Sequence, residues 1–309
     1  MILFSYVLLV LMVLVSVAFF TLMERSILGY IHIRKGPNKV GYGGILQPFS
    51  DVIKLFGSEM NLMMFMNLFF YQLIPGLSLT LMLMFWVLFY WGVEQISFEY
   101  GLIYFLCISS LGVYVILGGG WFSNSKYGLL GSFRGLAQVI SYEVSLAMIL
   151  MGSIFFISSY ELGMIINFQE EFKLIWGFLG MFFMWIVSCL AETNRTPFDL
   201  SEGESELVSG FNIEYGSYGF AILFMSEYGN IIFMSMISSI LFFGGMGYLS
   251  VLTLLIMYFF LLVRGTVVRY RYDMLMMMAW KVILPVSINL FYFMFFVKFI
   301  FVWIKFSKT

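Results

Sequence analysis

Charged residues are scarce in this sequence of 309 residues: Asp, Glu, Lys and Arg together make up 11%, whereas 62% of the residues are hydrophobic. A soluble domain has about 25% charged residues. Long stretches also lack them entirely, as in 2–23, 60–93, 100–125 and 174–191. Because a helix that crosses a bilayer needs about 20 such residues, the composition excludes a soluble globular protein and indicates several membrane spans.

Histidine and cysteine are equally scarce. The only histidine is His32, which excludes a haem held by two histidines of this chain, and Cys107 and Cys189 lack the clustered spacing of zinc or iron–sulfur ligands. No Gly-rich dinucleotide fingerprint or phosphate loop is present. We therefore expect this chain to bind no metal, no redox cofactor and no nucleic acid, so any redox cofactor belongs to a partner.

The charges that do occur divide the apolar runs into separate helices. The sequence predicts an all-α integral membrane protein, one transmembrane domain over 1–309 with about eight spans. Residues 244–247, with three glycines, mark a turn inside one long uncharged run. The predicted spans are 2–27, 66–93, 99–122, 135–159, 173–194, 216–242, 246–264 and 281–304.

The first apolar run begins at the initiator methionine. It is longer than the roughly 7 to 15 apolar residues of a signal peptide, and no Arg-rich transit sequence precedes it. We expect it to be retained as a long first span, in a protein synthesised inside an organelle or in a bacterium.

With eight spans, the loops alternate between two faces, and 12 of the 16 basic residues fall at one of them. The positive-inside rule places that face toward the cytoplasm or matrix, so both termini are expected on the opposite side. The residues of this inner face are Arg25, Arg34, Lys35, Lys39, Lys54, Lys126, Arg134, Arg195, Arg264, Arg269, Arg271 and Lys281.

The first inner loop has two notable features. Phe49, Val52, Ile53 and Phe56 repeat at helical spacing, which predicts an amphipathic interfacial helix near 44–57. The cationic run 34–39 contains a helix-breaking Gly-Pro-Asn. This run is consistent with a ligand entrance and equally with a docking patch for anionic lipid or a partner.

Three acidic residues of the predicted spans are expected to be intramembrane or nearly so: Glu143, Glu192 and Glu227. A carboxylate at membrane depth costs about 2.5 to 3.5 kcal/mol on insertion scales, so such residues are usually functional, paired or hydrated. Two interpretations remain open. The acids either form a proton pathway or act as structural partners of a buried arginine such as Arg134 or Arg195.

The segment 192–206 gathers five carboxylates around Arg195: Glu192, Asp199, Glu202, Glu204 and Glu206. If the part after Pro197 is helical, Glu202 and Glu206 share one side at i,i+4 and repel each other. Coupled acids of this kind hold or release a proton as a nearby charge changes.

Several short motifs follow one another along the chain: Glu24-Arg25, Leu28-Gly29-Tyr30, 33–41, Gln47-Pro48-Phe49, 53–56, Ala137-Gln138, 140–143, 191–215, and 269–273 with Trp280. Taken in order, these motifs resemble the subunit 1 family of proton-pumping NADH:ubiquinone oxidoreductase (respiratory complex I) and its membrane-bound hydrogenase relatives. The short loops and 24 methionines resemble the mitochondrially encoded form.

The resemblance implies a mitochondrial inner-membrane subunit that docks the hydrophilic arm, forms part of a quinone tunnel and begins a proton-coupling path. It assigns the tunnel to Arg25, Arg34, Asp51 and Phe224. Glu24 and Glu59 could belong to the tunnel or to the proton-coupling path. It implies coupling roles for Glu143, Glu192, Asp199, Glu202, Glu204, Glu206 and Glu227. The implied counter-ions are Arg134, Arg195, Arg269 and Arg271.

The same resemblance implies ubiquinone as substrate, and FMN and iron–sulfur clusters in partner subunits. The expected partners are the hydrophilic-arm subunits at the quinone site, small neighbouring membrane subunits and lipids. His32 stands where the family usually has Gln, and Val268 where many members have Pro. Two other functions remain open on the residues alone: a secondary proton or cation transporter, and a purely structural membrane anchor.

Overall fold

A computed structural model describes residues 2–60, 65–89, 98–201, 203, 210–244 and 246–306. These residues form α-helices with short 3-10 turns between some of them, and no β-strand occurs in the described ranges. The helices are α1 (Ile2–Ile31), α2 (Gln47–Phe56), α3 (Leu68–Phe85), α4 (Gly101–Ser123), α5 (Lys126–Ile157), α6 (Leu162–Glu171), α7 (Leu174–Gly177), α8 (Leu179–Glu192), α9 (Ser217–Phe242), α10 (Leu249–Thr266), α11 (Tyr272–Met278) and α12 (Leu284–Phe306).

The membrane-spanning character of the chain is confirmed by its long apolar helices. Within the described residues, seven helical segments are long and apolar enough to cross a bilayer. They correspond to α1, α3, α4, α5, α9, α10 and the joined α11–α12, and α8 is a shorter apolar helix. The prediction of an all-α membrane protein with a long first span is therefore correct.

The predicted span 173–194 is not one helix. The chain leaves helical geometry at Phe178 (φ −136°, ψ 50°), directly after Gly177, so α7 ends there and α8 has only 14 residues. A helix of 14 residues is about 21 Å long, short of the roughly 30 Å hydrocarbon core. Hydropathy alone does not reveal this break, because the residues on both sides of it are apolar.

The last helix also differs from its predicted range of 281–304. A π-helical turn, Ala279–Ile283, joins α11 to α12, so helical structure runs without interruption from Tyr272 to Phe306. Pro285 is the second residue after this turn and has no N–H for the α-helical ladder. A local change of hydrogen-bond register at this place lets the helix continue through the proline.

Helices α5 and α9 lie at the centre of the bundle. Helix α5 packs against α4, α8 and α12, and α9 packs against α1, α3 and α10. Large side chains buried within the bundle include Tyr142 on α5, Trp185 on α8 and Phe233 on α9, each 0% exposed. Since α1 and α12 bury much less of their surface, the central helices are the ones that can hold a site away from lipid.

Helix α2 lies inside the range 44–57 predicted for an interfacial helix. Arg25 of α1 bonds Asp51 of α2 at 2.5 Å, and the ring of Phe19 meets Phe49 edge to face at 6.2 Å. Ile53 remains 72% exposed. The helix is thus attached to α1 on one side and leaves an apolar side uncovered.

Small residues bring α4 and α5 into close contact, which yields a stability test. A Cβ on Gly120 would stand 2.5 Å from the carbonyl oxygen of Gly128 and still closer to Ser132. We expect Gly120→Ala to destabilise the bundle by about 1 to 3 kcal/mol, the usual cost of overpacking. The measurement is the thermal unfolding temperature of the detergent-solubilised complex.

The matched control is Gly76→Ala. Gly76 lies inside α3 and has no described atom within 4 Å of an added Cβ, so this change should leave stability unaltered or slightly higher because alanine favours helix. Equal unfolding temperatures for the two variants would contradict a close α4–α5 contact.

Candidate functional site

A cavity of about 110 Å³ lies between α3, α4, α5, α8 and α9. One part of its wall is apolar, with Phe85, Ile108 and Phe233. Another part is polar, which is unusual for the interior of a membrane bundle. The polar lining residues are Ser78, Ser109, Glu192, Thr193, Asn194, Ser201, Ser226, Glu227 and Asn230.

Glu192 is the last residue of α8 and points one carboxylate oxygen into buried space. Its Oε2 is fully buried and has no hydrogen-bond partner among the described residues, and the same holds for Oδ1 of Asn194 and of Asn230. Glu143 on α5 lies close enough to interact with Glu192 electrostatically. The fold thus brings two predicted coupling residues together beside a cavity with spare hydrogen-bonding capacity.

Arg195 connects this cavity to a second group of acids. Its Nη2 donates to Oε2 of Glu227 at 3.4 Å, and its guanidinium stands 4.5 Å from the ring centroid of Tyr228. Asp199 interacts electrostatically with Glu227 and accepts a hydrogen bond from Arg269 at 3.2 Å. The predicted counter-ions Arg195 and Arg269 therefore each lie beside a predicted coupling acid.

Glu24, in the C-terminal third of α1, is 4% exposed and forms an ion pair with Arg264 at the end of α10. The pair lines a small pocket of about 20 Å³ together with Arg195 and Thr193. Thr193 also lines the larger cavity. A band of polar side chains therefore runs from the α1–α10 contact to Glu192 through otherwise apolar helices.

The residues assigned to the tunnel are not gathered into one cavity. Asp51 accepts hydrogen bonds from Arg25 and, at 2.9 Å, from Gln47. Arg34 and Glu59 are exposed to solvent. Phe224 lies on α9, 6.0 Å from the ring of Tyr228, and Tyr228 lines the small pocket beside Glu24.

The remaining predicted counter-ions lie further out. The guanidinium of Arg134 stands 5.9 Å from the ring centroid of Tyr272, and Arg271 pairs with Asp273 at 3.4 Å in an exposed position. The predicted coupling residues Glu202, Glu204 and Glu206 lie outside the described residues.

Sequence reasoning missed Arg264 as a counter-ion. It counted Arg264 among inner-face basic residues but did not pair it, because Glu24 is 240 positions away and belongs to another helix. Its position at the end of a span was the only available signal. The two α-helix ends meet only in the folded bundle.

Glu214 and two tyrosines form another polar group that sequence reasoning did not single out. Tyr71 of α3 and Tyr215 stack with ring centroids 4.2 Å apart, and Oε2 of the neighbouring Glu214 is buried. Burial and the nearby Tyr71 raise the pKa of the Tyr215 phenol well above its ordinary value, so this phenol remains protonated. Metal binding has no support in the described ranges, where no three His, Cys, Asp or Glu residues cluster.

Comparison with known proteins gives a consistent result. A family described as NADH dehydrogenase matches residues 4–305. A protein of Rhipicephalus sanguineus named NADH-ubiquinone oxidoreductase chain 1 is 55% identical over 283 residues, which covers 92% of this chain and 90% of that protein. A protein of the same name from Aedes aegypti is 52% identical over 298 residues, which covers 94% of this chain and 94% of that protein. Another from Heterololigo bleekeri is 48% identical over 288 residues, which covers 91% of this chain and 92% of that protein.

The buried Glu24–Arg264 pair provides a test of this geometry. Removal of one partner leaves the other charge buried and uncompensated, which costs about 3 to 5 kcal/mol for a fully buried pair. Arg264 is 33% exposed at its side chain, so we expect a loss near the lower end for Glu24→Gln and for Arg264→Gln. The measurement is thermal unfolding of the solubilised complex.

The double variant Glu24→Gln, Arg264→Gln removes both charges and should recover part of the lost stability. If the losses of the two single variants simply add in the double variant, the two side chains do not form a pair.

Proposed function

The chain belongs to the NADH dehydrogenase family, and on that premise we propose that it forms the membrane part of a quinone tunnel and the first part of a carboxylate pathway. That pathway couples quinone reduction by NADH to proton translocation. Membership of complex I itself rests on relatives that cover nearly the whole chain. The protein is a multi-pass inner-membrane subunit of the mitochondrial NADH:ubiquinone oxidoreductase, complex I.

The observation that carries the proposal is the polar band through the bundle, from Glu24 at α1 to Glu192 at α8. Acids and arginines buried in a bundle stabilise it no more than apolar side chains of similar size would, because the charged groups lose their hydration when they are buried. Acids inside membrane segments otherwise mark proton relays and ion pathways. A role in proton transfer accounts for the band better than a structural role does.

Glu192 and Glu227 are suited to pass a proton because both line the same 110 Å³ cavity. A cavity of this size with several unpaired polar atoms is large enough for ordered water, and water is the usual bridge between separated proton carriers. Glu143, in electrostatic contact with Glu192, extends the pathway into α5. We assign Glu143, Glu192 and Glu227 as carriers, with Asp199, Glu202, Glu204 and Glu206 as the acids that respond to quinone reduction.

The free energy of a buried charge contact is similar to the free energy needed to move a proton across the membrane. Moving one proton against about 180 mV takes about 4 kcal/mol. Making or breaking a partly buried charge contact changes energies by a similar amount. A change in the charge beside Arg195 would alter its attraction for Glu227 and thereby the affinity of Glu227, and of Asp199 that interacts with Glu227, for a proton.

The tunnel assignment is supported at the α1–α2 contact. Arg25 is 55% exposed at its side chain and bonds Asp51, and α2 exposes apolar side chains beside this pair. A quinone has an apolar tail and a polar head, so a mouth that combines apolar side chains with hydrogen-bonding groups suits it. Arg34 and Glu59 lie at the surface, while Phe224 and Glu24 lie deeper in the bundle.

We further propose that both termini lie on the intermembrane-space side, because 12 of the 16 basic residues belong to the opposite, matrix-facing loops. Those loops are then the surface for the hydrophilic-arm subunits that contain FMN and iron–sulfur clusters. Small membrane subunits and lipids cover the apolar outer helices, and ubiquinone is reduced mainly within neighbouring subunits.

The carboxylate pathway is tested by Glu192→Gln in the assembled complex. The change keeps size and hydrogen-bonding capacity but removes the titratable proton, so proton translocation per NADH oxidised should fall at least about tenfold, the scale on which proton-transfer groups act. The measurement is proton uptake per NADH in reconstituted vesicles. The control is Glu170→Gln, an exposed acid on α6, which should behave like the wild type.

A normal ratio of protons to NADH in Glu192→Gln would overturn the pathway. Ion flux through the isolated chain, without any partner subunit, would instead favour a transporter.

The tunnel is tested by photolabelling with a reactive quinone analogue in the assembled complex. We expect labelled peptides to contain Arg25 and Phe224, and an excess of ubiquinone to prevent the labelling because both compete for one site. Phe295 on α12, which is 47% exposed, serves as a control for non-specific apolar labelling. Equal labelling of all three positions, or labelling that ubiquinone does not reduce, would favour a structural anchor.

A further inference from the structure

A buried glutamine on α5 makes two hydrogen bonds that reach across the bundle. Gln138 is 0% exposed. Its Nε2 donates to the carbonyl oxygen of Ala191 at 3.0 Å and to that of Phe198 at 2.6 Å. A single amide group thus connects α5 to the end of α8 and to the loop that follows it.

The two carbonyls are significant because of their neighbours in sequence. Ala191 directly precedes Glu192, and Phe198 directly precedes Asp199. Between these two carbonyls, the loop carries Arg195, which contacts Glu227. The hydrogen bonds of Gln138 therefore hold the backbone at both ends of the segment that presents the charged groups.

Two other residues on the same side of α5 support this segment. Gly135, Gln138 and Tyr142 are spaced by three and four residues, so they share one helix face. A Cβ on Gly135 would lie 3.0 Å from the Cβ of Ser201, and the ring of Tyr142 meets that of Phe198 at 5.8 Å. We call these three residues the loop seat.

The segment is held from the other side as well. The ring of Phe198 stacks on Tyr270 at 5.7 Å with an interplanar angle of 10°, and the backbone N–H of Tyr270 donates to the carbonyl of Pro197 at 3.1 Å. Next to this contact, Arg269 bonds Asp199 at 3.2 Å. The loop is therefore fixed between the loop seat and the chain after α10.

We propose that Gln138 is a positioning residue for the carboxylate pathway, through the two hydrogen bonds that fix the backbone beside Glu192 and Asp199. This inference rests on the proposed function. An amide does not titrate, so Gln138 carries no proton. It sets the spacing of Glu192 from Asp199, and with it the place of Arg195 beside Glu227.

The test is Gln138→Met in the assembled complex. Methionine matches the length of glutamine without its donors, and both carbonyls keep another donor, Asn194 N–H at 3.3 Å and Leu200 N–H at 3.1 Å. We therefore expect assembly and NADH oxidation to persist. Proton uptake per NADH should fall at least about twofold, since shifts of about 1 Å in reacting groups have large effects.

The matched control is Gln169→Met. Gln169 is also 0% exposed and also donates two hydrogen bonds through Nε2, to the carbonyls of Ile240 at 2.8 Å and Leu241 at 2.7 Å. These carbonyls lie at the other end of α9, away from the carboxylates. A merely structural role for Gln138 would give both variants the same loss of assembled complex and an unchanged ratio of protons to NADH.

Gly135→Ala provides a second variant, and we expect it to fold because alanine favours the helix more than glycine does. The added Cβ would press on Ser201 at 3.0 Å and on Ile116 of α4 at 3.1 Å, so the loop should shift only slightly and the fall in protons per NADH should be smaller. An unchanged ratio in assembled Gln138→Met, or in Gly135→Ala if the first variant does not assemble, would overturn the inference. Normal coupling in Glu192→Gln would overturn the proposed function instead, so the two failures are distinguishable.

Discussion

The structure depends on one constraint: a charge placed inside an apolar helical bundle needs a partner or water, because bare burial costs several kcal/mol. The Arg195–Glu227 contact, 3.4 Å long, meets this constraint at the centre of the site. Arg195 also stands over Tyr228 and near the small pocket of Glu24 and Arg264. One cation thus lies where the two cavities and the loop after α8 meet.

The helices around this point are arranged to keep it away from lipid. Helices α5 and α9 are central, and both carry fully buried side chains such as Tyr142 and Phe233. Glycines at the α4–α5 contact allow close approach, and the loop seat on α5 places the charged segment against the bundle. Rigid surroundings of this kind are needed if small changes in charge are to shift protons rather than move side chains.

The sequence allowed much of this arrangement to be predicted. Uncharged runs indicated the spans, the basic loops indicated one working face, and Glu143, Glu192 and Glu227 stood out because acids are rare in apolar segments. The break at Phe178 was not predictable, since the residues on both sides of it are apolar and hydropathy therefore does not change there. Nor was the pairing of Arg264 with Glu24, because it joins the ends of helices far apart in the chain.

The sequence by itself determined the helical membrane class and the acidic and basic residues available to a site, because hydropathy and charge are properties of each segment. Only the tertiary structure decided which arginine meets which acid, that Glu192 and Glu227 share one cavity, and that Gln138 bonds the backbone beside Glu192 and Asp199. These depend on distances between helices, which local sequence patterns do not encode.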